Sequence, residues 1–153
     1  MKFSLTSLLV MVALAAFAPL ASSSDEANGS SKQAMRVLDE FMTAFNARDE
    51  EALVATLHFP HVRIASGVTK VTATPEEMMS EFDFDRFAKH FDWDHSAWLS
   101  REVVQSGPDK VHVIVRFARY RADGSLSAEF DSLYIVARRE GRWAVAGRSS
   151  FAP

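Results

Sequence analysis

KVHVIVRFARYRADGSLSAEFDSLYIVARREGRWAVAGRSSF, Lys110 to Phe151, is the stretch that decides the fold. Val111, Val113, Val115 and Phe117 recur at every second residue, so they share one face of a strand. His112, Ile114, Arg116, Ala118 and Tyr120 share the other, which is mixed in character, as in a pocket wall or a subunit interface. Asp123-Gly124 is a hairpin turn signal, and Glu140-Gly141 marks a second turn. The spacing predicts strands over 110–121, 126–138 and 142–151. A further strand over 96–105 precedes the Ser106-Gly107-Pro108-Asp109 loop.

Upstream the period changes. Ala34, Val37, Leu38, Phe41, Ala44 and Phe45 recur at three- and four-residue spacing, which predicts a helix from Ser31. Asp49 is placed to cap a second helix that runs to Leu57 and is stopped by Pro60. Thr74-Pro75-Glu76-Glu77 is a capping box with proline at the first helical position. Asp83 opens another helix, striped by Phe84, Phe87, Ala88 and Phe91. Between these helices, residues 61–65 and 68–72 alternate around Ser66-Gly67 as a hairpin. Helices first and a long meander last predict an α+β fold, with helices covering one face of a curved, mostly antiparallel sheet.

The chain has 153 residues and no cysteine, so a single domain without disulfide or thiolate chemistry is expected. Lys2, an apolar run from Phe3 to Ala18 and the small residues Ala21-Ser22-Ser23-Ser24 describe a signal peptide over residues 1–24. The expected protein is therefore exported, to the periplasm or the medium. A polar leader over 25–30 and one domain over 31–153 complete the organisation. The formal charge is −3, and −4 once Lys2 is removed with the leader. No basic tract is concentrated enough to suggest nucleic acid, or a membrane surface after signal removal.

The order of elements resembles the nuclear-transport-factor-2-like superfamily, which includes ketosteroid isomerase, scytalone dehydratase and polyketide cyclases. The likeness is carried by FMTAFNARDEEAL (41–53), LHFPHVRIASG (57–67) and the closing meander from Arg119. Within these, Phe45-Asn46-x-x-Asp49 before a second helix and Gly141-Arg142-Trp143 opening the final strand are similar to patterns in that group. The resemblance implies a cone-shaped α+β domain, a homodimer, and an apolar pocket between helices and concave sheet that takes a small hydrophobic or anionic ligand. It transfers no catalytic residue, because shared fold does not carry shared chemistry.

Candidate chemistry comes from three constellations. His58-x-x-His61 brackets Phe59-Pro60; two ligands do not make a zinc site, so no metal is assigned, and the pair also reads as a helix-to-strand junction. Arg63 shares a strand face with His61, and meets either an acidic neighbour or an anionic ligand. Asp94 and His95 place an imidazole beside a carboxylate, the composition for acid–base work, and Trp98 offers an apolar wall. On the sheet, His112, Arg116 and Tyr120 share a face, and Tyr134 and Arg148 follow on later strands, with Arg148 expected to meet an acidic residue. The proton-handling candidates are His61, Asp94, His95 and Tyr120. The ligand-binding candidates are Arg63, Trp98, Arg116 and Tyr134. Three readings stay open: a small-molecule-binding domain, a cofactor-independent isomerase, dehydratase or hydrolase, and a non-catalytic dimerising module.

Overall fold

The computed structural model describes residues 23–153. Its elements run α1 (Ser23–Ala47), α2 (Glu50–Ala55), β1 (Leu57–Ala65), β2 (Val68–Thr72), α3 (Pro75–Glu81), α4 (Phe84–Phe91), β3 (His95–Ser106), β4 (Lys110–Tyr120), β5 (Leu126–Arg139) and β6 (Arg142–Ser150). The strands form one open sheet in the order β2-β1-β6-β5-β4-β3. Every neighbouring pair is antiparallel except β1 and β6, which run parallel. This is the α+β architecture expected from the change of period. The expected signal peptide lies outside the described residues except for its last two, which open α1.

The helix starts are local chemistry. Asp49 accepts from the Ala52 amide, Thr74 from the Glu77 amide and Asp83 from the Arg86 amide, each satisfying a donor that the first helical turn leaves unpaired. Glu77 reaches back to the Ala73 amide at 2.6 Å, one residue earlier than the usual capping-box partner. Three boundaries differ from the sequence expectation. Residues 25–30 are helical rather than a leader, and Ser30 is buried with its hydroxyl donating to the Pro108 carbonyl. The second helix stops at Ala55, because Thr56 turns back on the Leu53 carbonyl through both its amide and its hydroxyl. Leu57 and His58 therefore belong to β1, where Leu57 pairs with Val145.

Arg142 secures that early start. Its guanidinium donates to the Ala55 and Leu57 carbonyls and to His58 Nδ1, tying the first residue of β6 to the end of α2. His58 Nε2 lies 3.0 Å from the Ala137 carbonyl. Further along, Gly147 allows the close parallel approach, since a Cβ there would stand 3.0 Å from the Val62 carbonyl oxygen. The β1–β6 pair carries a register irregularity between Leu57 and Val62, where the Phe59–Pro60 peptide is cis.

α1 lies across β3 to β6 and buries Ala34, Val37, Leu38 and Phe41 against the inward row Val111, Val113, Tyr134, Val136 and Val145. At its C-terminal end Phe45 stacks with Phe41 and meets the rings of Phe82, Phe84, Phe87 and Trp93, so one side chain joins α1 to the α3–α4 segment. The next residue, Asn46, grips β3: its Nδ2 donates to the Ser96 carbonyl and its Oδ1 accepts from the Ser96 amide, both at 2.8 Å. Ser96 in turn accepts from Trp93 Nε1 at 2.9 Å. Replacing Asn46 with Ala leaves both backbone groups of Ser96 without these partners. We expect Asn46→Ala to lower the unfolding free energy by about 2 kcal/mol, read from urea denaturation. A change within experimental scatter would show that the clasp does not hold α1 to the sheet.

Candidate functional site

Helices and sheet do not meet everywhere. Between them lies a cavity of about 330 Å³, of the size that small-molecule pockets occupy. Phe41, Met42 and Phe45 of α1, Leu53 of α2, and Phe82, Phe87 and Phe91 around α3 and α4 form its apolar wall. The sheet contributes His61, Arg63, Trp98, Phe117, Arg119, Tyr134 and Arg148. Lys70 of β2 and Glu81 of α3 also line it, and these two half-exposed side chains form an ion pair with each other.

The polar side chains are arranged by register. Arg63 and Arg148 are partners across the parallel β1–β6 pair, and Arg148 is the partner of Tyr134 across β6–β5. Two guanidiniums and a phenol thus stand in one row over three strands. Arg148 donates to the Tyr134 hydroxyl at 2.9 Å and its guanidinium carbon lies 5.9 Å from the Phe41 ring. Tyr134 is only 1% exposed, held edge-on by Phe41 and Trp98. Arg63 donates to main-chain oxygens of Ala152 and Pro153. Arg119, 6% exposed, lies 4.8 to 4.9 Å from the rings of Phe87, Phe91 and Phe130.

None of these three arginines takes part in an ion pair among the described residues. Arg48, Arg101, Arg116, Arg121 and Arg138, all nearer the solvent, each have a carboxylate partner. Arg148, expected to meet an acidic residue, meets the Tyr134 phenol instead. Arg63, expected to meet an acidic neighbour or an anionic ligand, has no Asp or Glu partner among the described residues and donates to main-chain oxygens of Ala152 and Pro153. The electrostatics follow. Burial pulls Arg63 down to about 10, helped by the Arg148 charge; burial, then Arg148 and Arg63, do the same to Arg119. Both stay charged at neutral pH. His61, 5% exposed, is pushed down from 6.5 to about 4, first by burial and then by Arg148, so its imidazole is neutral.

Three buried polar atoms among the described residues have no hydrogen-bond partner: His61 Nδ1, Arg63 Nε and Trp98 Nε1. All three belong to residues that line this cavity. Buried polar atoms are rarely left unpaired, so three of them in the lining residues of one cavity set this region apart from the rest of the core.

Of the sequence candidates, the cavity collects His61, Arg63, Trp98 and Tyr134. Asp94, His95, Tyr120 and Arg116 are not among its lining residues. They form their own surface groups: Asp94 and His95 pair at 2.8 Å with both side chains nearly half exposed, and His95 stacks on Tyr120 at 5.0 Å. Arg116 pairs with Glu129. The cause is strand parity, because Arg116 lies on the face opposite Val115 and Phe117. His58 and His61 also separate in role. His58 is occupied by Ala137 and Arg142, whereas only His61 reaches the cavity.

A family model described as NTF2-like protein (DUF6841) matches residues 31–151. The chain belongs to this NTF2-like family. No curated protein matches it in sequence. Among solved structures it is similar to a protein of unknown function with a cystatin-like fold from Nostoc punctiforme (TM-score 0.66, 13% identity, 80% of this chain and 90% of that one). It is similar also to a ketosteroid isomerase-like protein from Erwinia carotovora atroseptica (TM-score 0.59, 21% identity, 81% and 96%). An NTF2-like protein with a cystatin-like fold from Novosphingobium aromaticivorans gives a TM-score of 0.66 at 11% identity, over 88% and 92%. At such identities the likeness is one of fold.

Within this NTF2-like chamber the sequence reading missed Arg119. The signal was present: Val111, Val113, Val115 and Phe117 form an inward series at every second residue, and the next member is Arg119. A charge that continues an apolar series on a core-facing strand is the mark of a pocket cation. The depressed His61 sets a stability prediction. Above pH 6.5 the ring is neutral folded or unfolded. As pH falls from 6.5 towards 4 the unfolded chain gains a proton that the folded one refuses, so stability drops, and the loss levels off below pH 4. For this shift the loss attributable to His61 is of order 3 kcal/mol. Urea denaturation at pH 7 and pH 4 should show a smaller pH difference for His61→Gln than for the parent protein. An equal difference would mean that His61 titrates normally in the folded state.

Proposed function

We propose that this NTF2-like domain binds a small, largely apolar molecule in the chamber between its helices and sheet. The observation that supports the reading is an aromatic-walled cavity of small-molecule size whose lining residues include His61, Arg63 and Trp98, each carrying a buried polar atom without a partner. A structural core of this fold has no use for such atoms. Recognition does, because an unpaired donor at a dry wall discriminates strongly between ligands that complete it and ligands that do not.

Binding is favoured over proton-transfer catalysis for a stated reason. A general base at neutral pH works best with a pKa near 7, and the chamber's histidine is held at about 4. The lining's carboxylate, Glu81, is paired with Lys70. The acid–base composition seen in sequence at Asp94, His95 and Tyr120 is not part of the chamber lining, and the Asp94 and His95 side chains are nearly half exposed. Export of the protein is part of the same proposal and rests on the basic start and apolar run of residues 1–24.

The test is chemical unfolding of the protein against a panel of single- and double-ring molecules. A ligand at about 100 times its dissociation constant should add roughly 2.7 kcal/mol of stability. The shift should saturate with concentration and be accompanied by a change in tryptophan fluorescence from Trp98. Absence of any saturable shift across the panel would sink the binding reading. Turnover of a bound compound, lost in His61→Gln, would replace it with the enzymatic one.

A further inference from the structure

The chamber's charge balance identifies its ligand class. We propose that the cavity is a site for an amphipathic organic carboxylate, with the head group held by Arg63 and Arg148 and the body lying against the phenylalanine wall. This inference rests on the small-molecule reading above and adds the chemistry of the ligand.

Adjacent like charges on neighbouring strands repel, and Arg63 and Arg148 are direct register partners. Arg119 adds a third charge near enough to feel both of the others. Elsewhere several arginines are matched by acids, as Arg138 of β5 is by Asp109 and Arg116 of β4 by Glu129. Here no Asp or Glu side chain among the described residues pairs with any of the three. The Tyr134 hydroxyl occupies one Arg148 nitrogen, and main-chain oxygens of Ala152 and of Pro153, the last residue of the sequence, occupy one Arg63 nitrogen. Arg63 Nε stays buried and unpaired. Arg119 makes no hydrogen bond among the described residues and is held by aromatic faces alone. Unpaired guanidinium edges in a dry space are complementary to a planar anion that accepts two parallel N–H bonds, which is carboxylate geometry.

The rest of the chamber specifies the body. Apart from this polar cluster the walls are mainly aromatic and aliphatic, so a bare inorganic anion would neutralise charge yet leave the apolar wall uncovered. Trp98 Nε1 and His61 Nδ1 offer further polar contacts beside the head group.

The experiment compares 2-naphthoate with its neutral isostere 2-naphthamide, and both with inorganic phosphate, by calorimetric titration of the protein. One charge-assisted contact to a guanidinium supports a preference for naphthoate over naphthamide of about tenfold or more. Arg63→Gln and Arg148→Gln should each remove most of that preference, lowering naphthoate affinity more than naphthamide affinity. Arg63→Lys should lower it in part, because the charge remains and the planar fork is lost. Equal binding of naphthoate and naphthamide by the parent protein would overturn the anion inference and leave the pocket reading intact. Binding of neither would overturn both. Phosphate binding as tightly as naphthoate would overturn the amphipathic part, since the body would then contribute nothing. The parent-protein comparison decides the matter even if a glutamine variant does not fold.

Discussion

Three guanidinium groups held in one largely apolar chamber, with no Asp or Glu partner among the described residues, form the constraint around which this site is organised. Burying a charge is expensive, and burying like charges side by side is more so. The structure meets this cost with geometry. Arg148 is fixed by the Tyr134 hydroxyl, Arg63 by main-chain oxygens of Ala152 and Pro153, and Arg119 by three aromatic faces. These restraints come from β5, from α4 and from the residues after β6, so the cluster depends on contacts between elements distant in sequence. The parallel β1–β6 pairing is the critical joint. Arg142 clasps its start and Gly147 permits its close approach, and one residue beyond Gly147 stands Arg148 opposite Arg63.

The fold was legible in the sequence because its determinants are local. A period of two over Lys110 to Phe151, turns at Asp123-Gly124 and Glu140-Gly141, and caps at Asp49, Thr74 and Asp83 all lead to the elements observed. The failures were at boundaries where a distant partner decides. Leu57 and His58 read as helix because nothing nearby in sequence announces Val145 or Arg142, eighty-odd residues away. Residues 25–30 read as a leader because their polarity is compatible with helix only when Ser30 and Ser31 find partners at Pro108 and Ser106.

The site was less legible, for two physical reasons. Alternation tells which residues share a face, not which face encloses space. Arg116 and Tyr120 therefore seemed equal in standing to Tyr134 until the packing of α1 chose the Val113 side of the sheet. Composition also cannot tell a solvated pair from a dry one. Asp94 and His95 have the residue types of an acid–base couple, but both side chains are nearly half exposed and water screens their attraction. Arg119 and Arg148 lacked any acidic neighbour in the linear sequence that would have singled them out, and only three-dimensional packing shows that they lack one in space as well.

The division of labour across the chamber bears on how such a fold changes its ligand. The helices supply ring surface, which any apolar body can use, and they are also the elements whose packing holds the domain together through Phe41 and Phe45. The sheet supplies the polar side chains from five strands, at His61 and Arg63 of β1, Trp98 of β3, Arg119 of β4, Tyr134 of β5 and Arg148 of β6. The inward polar residues also touch the helices, Tyr134 and Arg148 at Phe41 and Arg119 at Phe87 and Phe91, so recognition and packing share residues at these points. Solved structures at 11 to 21% identity share the shape of this scaffold, and shape alone does not carry the chemistry inside it. The ligand of this chain must therefore be argued from its own arginines, since the shared architecture is indifferent to them.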